Sequence, residues 1–419
     1  MSAGASRWLG SCSGRSSDEQ DKDASVLLES AEEHTPTEDN LSSFWTSGEE
    51  RPESWSAEER SLREIPQYVL DHAPYVHLFS GEQFWPCDIA EHLIHTSPYQ
   101  NYTPIEGMEH DRTVDNLDEL NKLGRFVYLH SDDNVESRPN WLGGSKNIPS
   151  NSEDSDSEDK GKNATGQPTN QAQKQYGGHS SAPAVLVVVP KENGIVDAFW
   201  FYFYSYNLGN IVLNVRFGNH VGDWEHSVVR FRNGTPESVF LSEHNFGEAY
   251  GYGAVEKIGK RPVIYSATGT HAMYATPGLH PYVLPWGLLH DQTDRGPLWD
   301  PLLNHHGFVF NLTTRELKAS AQTPQAPVHW FNYGGRWGDK IYPMSDSRQY
   351  KFAGQYHYVS GPLGPRFKDL GRRNVCQGNG KCIIKHWLGG GRIKQWPGSG
   401  TGEEEMEYTD FDTLGPLEP

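Results

Sequence analysis

Two neighbouring runs leave this chain little choice of fold. Ala184-Val185-Leu186-Val187-Val188-Val189 is dominated by β-branched residues, and Ile195 to Tyr206 (Ile-Val-Asp-Ala-Phe-Trp-Phe-Tyr-Phe-Tyr-Ser-Tyr) is crowded with aromatic rings. Such side chains lose rotamer freedom in a helix and pack well on a pleated surface, so both runs predict buried strands. Shorter β-patterned stretches follow at His226–Phe231, Ser238–Leu241, Pro262–Ala267 and Phe308–Leu312, with turns such as Asn233-Gly234-Thr235-Pro236 between them. Upstream, Tyr68–Leu70, Tyr75–Phe79 and Phe126–Leu129 read as strands. Asp88 reads as the cap of a short helix with Ile89 and Leu93 on one face, and Asp115 as the cap of another that ends at Gly124. Many strands with little helix between them predict a mainly β fold, an antiparallel β-sandwich or jelly roll with a few short helices, not a parallel α/β sheet.

Charge locates the folded part. The net charge of −19 over 419 residues falls almost wholly in three stretches: residues 1–60 carry −9, residues 150–160 carry −4 and residues 400–419 carry −7. The rest is close to neutral, so the acidity belongs to stretches that lack the apolar content to fold. The expected organisation is a disordered acidic segment over 1–60, a single sandwich domain over 61–400 interrupted by a disordered insertion at 140–182, and an acidic tail at 401–419. Ser152, Ser155 and Ser157 lie beside acids in the insertion, where a solvated spacer is the simplest reading. No basic stripe suits nucleic acid, and no apolar run is long enough to span a bilayer. Met1–Gly14 does not read as a signal peptide, which suggests a cytoplasmic or endomembrane-associated protein, or a secretory one whose leader is missing. Cys376 and Cys382 are spaced for a small-loop disulfide in an oxidising compartment, while Cys12 and Cys87 have no evident partners. Five Asn-x-Ser/Thr triplets (Asn40, Asn101, Asn163, Asn233, Asn311) permit glycosylation there.

The chemistry concentrates in Gly218-Asn219-His220-Val221-Gly222-Asp223-Trp224-Glu225-His226. If Asp223 starts the strand that runs on to Phe231, alternation puts Asp223, Glu225 and Ser227 on one face and Trp224, His226 and Val228 on the other. His220 is out of phase, but Gly222 permits a bulge or tight turn that swings it to the carboxylates. Two carboxylates with one imidazole suit a hard or borderline divalent cation, Mg²⁺ or Ca²⁺ first and Mn²⁺ after them. The competing reading packs Trp224 in the core and leaves the polar residues to solvate a strand end. His244 and His271 each follow a strand and could line the same end of a sandwich. Asp291, Asp294 and the His305-His306 pair are weaker candidates, and Glu243 and Asp300 find no place.

Several separated motifs resemble the vacuolar protein sorting-associated protein 62 family. They are Ala73–Leu78, Glu82–Ile89, Gly218–His226, Leu241–His244, Pro262–His271 and Asp291–Asp294, in order over roughly residues 65–370. The resemblance implies a role in delivering proteins to the fungal vacuole. His220-Val221-Gly222-Asp223-Trp224-Glu225 is also similar to the motif of the necrosis- and ethylene-inducing peptide-like cytolysins and keeps its His-x-x-Asp-x-Glu spacing. There the motif supplies a divalent-cation site on a β-sandwich that binds sphingolipid headgroup sugars at a membrane. The similarity implies His220, Asp223 and Glu225 as ligands, with Asn207 standing in for a further aspartate at the end of the aromatic strand. Gly222 replaces the second motif histidine, which argues against toxin activity.

The expected function is a non-enzymatic sandwich whose cation helps hold a glycan or lipid headgroup, with Trp224 and Tyr250 as stacking or packing partners. Two alternatives stand beside it: a hydrolase that uses Asp223 and Glu225, and a trafficking adaptor that binds proteins through its acidic tails and has no ligand site. The hydrolase lacks a Gly-x-Ser-x-Gly elbow, a His-Glu-x-x-His pair and a phosphate loop.

Overall fold

The strand Ile195–Asn207 runs through the middle of an eight-stranded sheet and pairs along its whole length with His220–Arg232. The sheet's order is Glu316–Ala319, His305–Asn311, Ala184–Pro190, Ile195–Asn207, His220–Arg232, Thr235–Glu243, Phe246–Gly251 and Ile384–Lys385. The computed structural model describes residues 41–48, 52–107, 112–150, 176–244, 246–281, 288–378 and 381–388. All lie in one compact unit within Thr35–Pro419.

Both faces of this sheet are covered, which explains why its strands read as nearly continuous apolar runs. One face packs on a smaller five-stranded sheet formed by Lys257–Ile258, Arg261–Ser266, Tyr75–His77, Leu298–Trp299 and Met273–Tyr274. Trp200, Tyr202, Val229 and Leu241 meet Val76, Ile264, Met273 and Trp299 there. The opposite face carries Phe199, Phe201, Phe203 and Trp224, and lies under Leu93, Leu117, Trp330 and Trp337 from short helices and loops. Each such side chain contributes about 1.5–3 kcal/mol on burial, so the two layers fasten both sides of one sheet. The fold is thus the mainly β sandwich expected from the sequence. Among the strand pairs of the described residues most are antiparallel, and three are parallel: His305–Asn311 on Ala184–Pro190, Tyr75–His77 on Arg261–Ser266, and Ile384–Lys385 on Phe246–Gly251.

Local signals held where the backbone supplies them. Asp88 caps the Ile89–Ile94 helix, accepting the Ala90 N–H at 2.8 Å. Leu117–Leu123 ends at Gly124 (φ +89°) as expected, but it is 3₁₀, and Asn116 rather than Asp115 precedes it. Tyr68–Leu70 is not a strand. Pro66 opens a helix over Gln67–Asp71 that buries Val69, so tertiary packing overrides the β-propensity of those residues.

The limits of the folded part also differ from expectation. Trp45 is only 4 % exposed, stacks on His306 at 3.9 Å and donates its Nε1–H to Asp88, so the core begins before residue 60. Residues 57–62 form a helix capped by Ser56. The proposed insertion narrows in the same way, because Trp141 and Leu142 are buried and Ser150 pairs with His179. Its acidic centre, the tail from 401 and most of residues 1–60 lie outside the described residues. Cys376 and Cys382 form a disulfide, and Cys87 is a buried thiol. No helix among the described residues is long and apolar enough to cross a membrane.

Candidate functional site

The organising strand begins at His220, six residues earlier than its apolar pattern suggests, because Asn207 to Tyr204 offer it a ladder partner. Gly222 has φ +68°, and a Cβ there would lie 1.8 Å from the Trp337 carbonyl oxygen, so only glycine fits. The register across it stays uniform, from Tyr204 opposite Asp223 to Asn207 opposite His220. Gly222 therefore takes its left-handed conformation inside a continuous strand, and the sequence expectation of a bulge or tight turn there is not met.

Alternation places the carboxylates as expected. Asp223 accepts the His271 Nδ1–H at 2.9 Å on the side facing the smaller sheet, and Ser227, on the same side, meets the Tyr202 hydroxyl at 3.0 Å. Glu225 accepts a hydrogen bond from Ser242 Oγ, which in turn accepts the His226 N–H at 2.8 Å. The ladder between these two strands stops at Ser227 and Leu241, and the Ser242 hydroxyl takes its place. Burial, then the nearby charge of Asp223, pushes the Glu225 carboxyl up to about 8.

Three imidazoles surround this pair in different roles. His220 donates its Nδ1–H to the Gly222 carbonyl at 2.6 Å, which makes Nε2 the ring's lone-pair nitrogen. Its burial lowers its proton affinity, and the charges of Asp223, His271 and His244 all reach it. His271 donates to Asp223 through Nδ1 and to the Phe84 carbonyl through Nε2 at 3.0 Å. Burial would lower this ring, but the hydrogen bond to Asp223 and the charges of Glu82 and Asp223 raise its proton affinity, and both of its nitrogens already have partners. It stacks flat on Tyr204, at 3.7 Å between centroids, and holds Asp223 in place. His244 pairs with Asp291 at 3.0 Å. Burial alone would lower His244, but Asp291, with Glu225 and Asp223, overcomes it and holds the ring up at about 9.

Asp291 is more central than its isolated position in the sequence suggests. Besides His244 it accepts from Asn210 (2.9 Å), Thr270 (2.8 Å) and Tyr274 (2.7 Å). The charge and hydrogen bond of His244, then the hydrogen bonds of Asn210 and Tyr274, keep its carboxyl well below the usual carboxylate range despite complete burial. Thr270 and His271 sit on one turn, at which His271 takes φ +56°, so one loop grips both Asp291 and Asp223. Ser242, Thr270, Tyr274 and Asn210 escaped sequence reasoning because their partners are far away in the chain.

Other candidates lie elsewhere. Asn207 sits opposite His220 but spends its amide on the Gly218 carbonyl at 2.8 Å. Trp224 packs against Trp330 and Trp337 on the far face, so it cannot stack on a ligand at the carboxylates, and Tyr250 is bonded to Glu248. His226 points to that far face too, beside Arg372 at 3.2 Å. Asp294 ties Ser80 to Gly296, and His305 bonds the Leu302 carbonyl. Asp300 holds Arg261 at 2.5 Å. Among the described residues no three His, Cys, Asp or Glu side chains stand ready to close around a metal ion.

Fold and site define a β-sandwich protein with a buried carboxylate–imidazole cluster at one end of its central sheet. The family model described as vacuolar protein sorting-associated protein 62 matches residues 151–355. Vacuolar protein sorting-associated protein 62 of Saccharomyces cerevisiae is 36 % identical over 78 % of this chain and 71 % of its own length. The TDA6 protein of the same yeast is 37 % identical over 79 % of this chain and 72 % of its own. The chain belongs to the vacuolar protein sorting-associated protein 62 family. Among solved structures, Necrosis and Ethylene inducing Protein 2 from the causal agent of cocoa's Witches Broom disease matches with a TM-score of 0.24 and 11 % identity, covering 51 % of this chain and 69 % of its own. NLPPya, in complex with mannosamine, matches with a TM-score of 0.18 and 14 % identity, covering 27 % of this chain and 49 % of its own.

Proposed function

We propose that this protein is a non-enzymatic sorting module in which Asp223, Glu225 and His220 hold a divalent cation that helps bind a glycan or lipid headgroup. The observation that carries the reading is the side-by-side burial of Asp223 and Glu225, with Glu225 pushed up to about 8 by its burial and by its neighbour. The charge of Asp223 opposes the ionisation of Glu225, and a bound cation removes that opposition. His220 adds a lone pair, fixed in direction by the Gly222 carbonyl. With no preformed shell, these side chains would draw together on binding. His271 and Asp291 then act as the scaffold: one fixes Asp223, the other fixes the loop and His244 around it. Oxygen donors with one nitrogen favour Mg²⁺ or Ca²⁺, with Mn²⁺ next. The family's name supports placing this binding in transport to the vacuole. A hydrolase reading has less support, because Asp223 and Glu225 project in parallel from one strand and do not flank a bond.

The test is thermal melting of chelator-treated protein with and without Ca²⁺, Mg²⁺ or Mn²⁺, alongside elemental analysis. At a cation concentration of about 100 times Kd the wild type gains ~2.7 kcal/mol, a rise of about 5 °C for a domain of this size. Asp223→Asn and Glu225→Gln abolish the rise. Cation-dependent capture by vesicles bearing glycosylated headgroups follows the same variants. Unchanged melting with no bound metal sinks the reading and leaves an adaptor without a ligand site.

A further inference from the structure

The opposite end of the His220–Arg232 strand, where Arg230 and Arg232 lie roughly 15–30 Å along the strand from the carboxylates, opens into a cleft of about 1010 Å³. Its walls come from the helix at Glu59–Arg63, the turn Pro190–Asn193, the strand end Arg230–Arg232, the turn Asn311–Thr313 and the loop Gly371–Asn374. No sequence motif marks it, because its basic residues are scattered over five elements. Brought together, seven basic side chains line one cleft in a chain that is acidic as a whole.

The floor carries more positive charge than it neutralises. Asp197, fully buried, takes both the Arg230 guanidinium, at 2.6 and 2.7 Å, and the Lys191 ammonium, at 2.7 Å. Arg372 is 3 % exposed, and its hydrogen bonds go to the carbonyls of Lys368, Asp369 and Val375 and to His226. Arg230 and Lys191 thus share Asp197, and Arg372 adds a third cation beside them that has no ion pair of its own with that carboxylate. Burial, with Arg230 adding to it against the help of Asp197 and Asp369, lowers Arg372 to about 10. At the rim Arg63 and Lys318 share Glu59, at 2.6 and 3.0 Å, and Arg232 meets Glu237 at 3.1 Å. Arg373 and Glu192 complete the lining. Seven cations therefore face five carboxylates, counting Glu192, Asp369 and each ion-pair partner, which leaves +2.

Uncompensated charge of this kind, partly desolvated, attracts an anion far more strongly than the same residues would on an open surface. Guanidinium forks match phosphate oxygens in pairs. The cavity is too large for a single phosphate, and its excess charge calls for more than one. We propose that this cleft binds a compact ligand bearing several phosphate groups, of the kind found on a polyphosphorylated polyol, free or as a lipid headgroup. The proposal is independent of the cation reading, since it uses the other end of the sheet.

Calorimetric titration of the full chain with inositol hexakisphosphate and with inorganic pyrophosphate tests the shared chemistry. Cosedimentation with phosphatidylcholine vesicles, with and without phosphoinositide, tests the lipid source. Binding of the soluble compounds that weakens with salt supports the proposal, and capture by phosphoinositide vesicles assigns the source to lipid. Arg232→Glu and Arg373→Glu, both at exposed positions, are expected to weaken binding about tenfold each. Lys351→Glu, the same charge change at an exposed position on a hairpin that stacks on Phe217 near the other end of the sheet, leaves it unchanged. The proposal is overturned if no probe binds, if the two arginine variants bind like wild type, or if Lys351→Glu weakens binding as much.

Discussion

At the residue scale, the site divides into what one strand can encode and what only the assembled fold can. The shared face of Asp223 and Glu225 was legible, because period-two alternation needs only neighbours in the chain. The need for glycine at 222 was legible as well, although its cause was not. That cause is the Trp337 carbonyl, brought from more than a hundred residues away to within 1.8 Å of where a Cβ would be. Gly222→Ala is accordingly expected to destabilise the protein by roughly 3 kcal/mol or more, through a left-handed backbone and a clash with fixed main chain together. Urea unfolding measures it, and a loss below ~1 kcal/mol would mean that the two segments separate easily. The roles of Asp291, Thr270 and Tyr274 were illegible for the opposite reason: Asp291 was a weak candidate between His290 and Gln292, and nothing local shows the partners that the fold brings to it. His271, a candidate from its place after a strand, lies beside Asp223 with both ring nitrogens engaged by Asp223 and the Phe84 carbonyl.

At the element scale, strands were read well and short helices less so. Long aromatic and β-branched runs advertise burial whatever surrounds them, while five residues such as Gln67–Asp71 take the conformation their packing dictates. The Ile89–Ile94 helix shows cap and packing working together. Asp88 caps it and also receives the Trp45 Nε1–H at 2.9 and 3.0 Å, and burial pushes its carboxyl up from 3.8 to about 7. The folded state therefore holds this proton where the unfolded chain releases it, so the carboxyl costs stability progressively as pH rises from about 4 to 7. Asp88→Asn keeps an acceptor for the cap and removes the titration. Its stability relative to wild type should rise across that window by on the order of 4 kcal/mol at the upper limit. Denaturant melts at several pH values give the difference directly, and parallel profiles for the two proteins would contradict the assignment.

At the scale of the whole molecule, one sheet carries two chemistries at its two ends. Ile195–Asn207 and His220–Arg232 span the distance between them, with acids and imidazoles at one end and guanidinium groups at the other. Neither core layer is closed without this sheet: Trp200 and Val229 face Trp299 and Ile264, while Phe201 and Trp224 face Trp330 and Trp337. Removing either layer would expose one side of strands that are apolar on both, which makes partial unfolding as costly as complete unfolding. The described domain should therefore unfold as a single cooperative unit. Native-state hydrogen exchange offers the sharpest reading, because backbone amides of Ala184–Val189 in the large sheet and of Val263–Ser266 in the small one belong to different layers. Both sets are expected to open with the same free energy and the same denaturant dependence, equal to those of global unfolding. A smaller sheet that opens several kcal/mol earlier would show that the turn holding Thr270 and His271 detaches on its own. Asp223 and Asp291 would then lose their partners without loss of the fold.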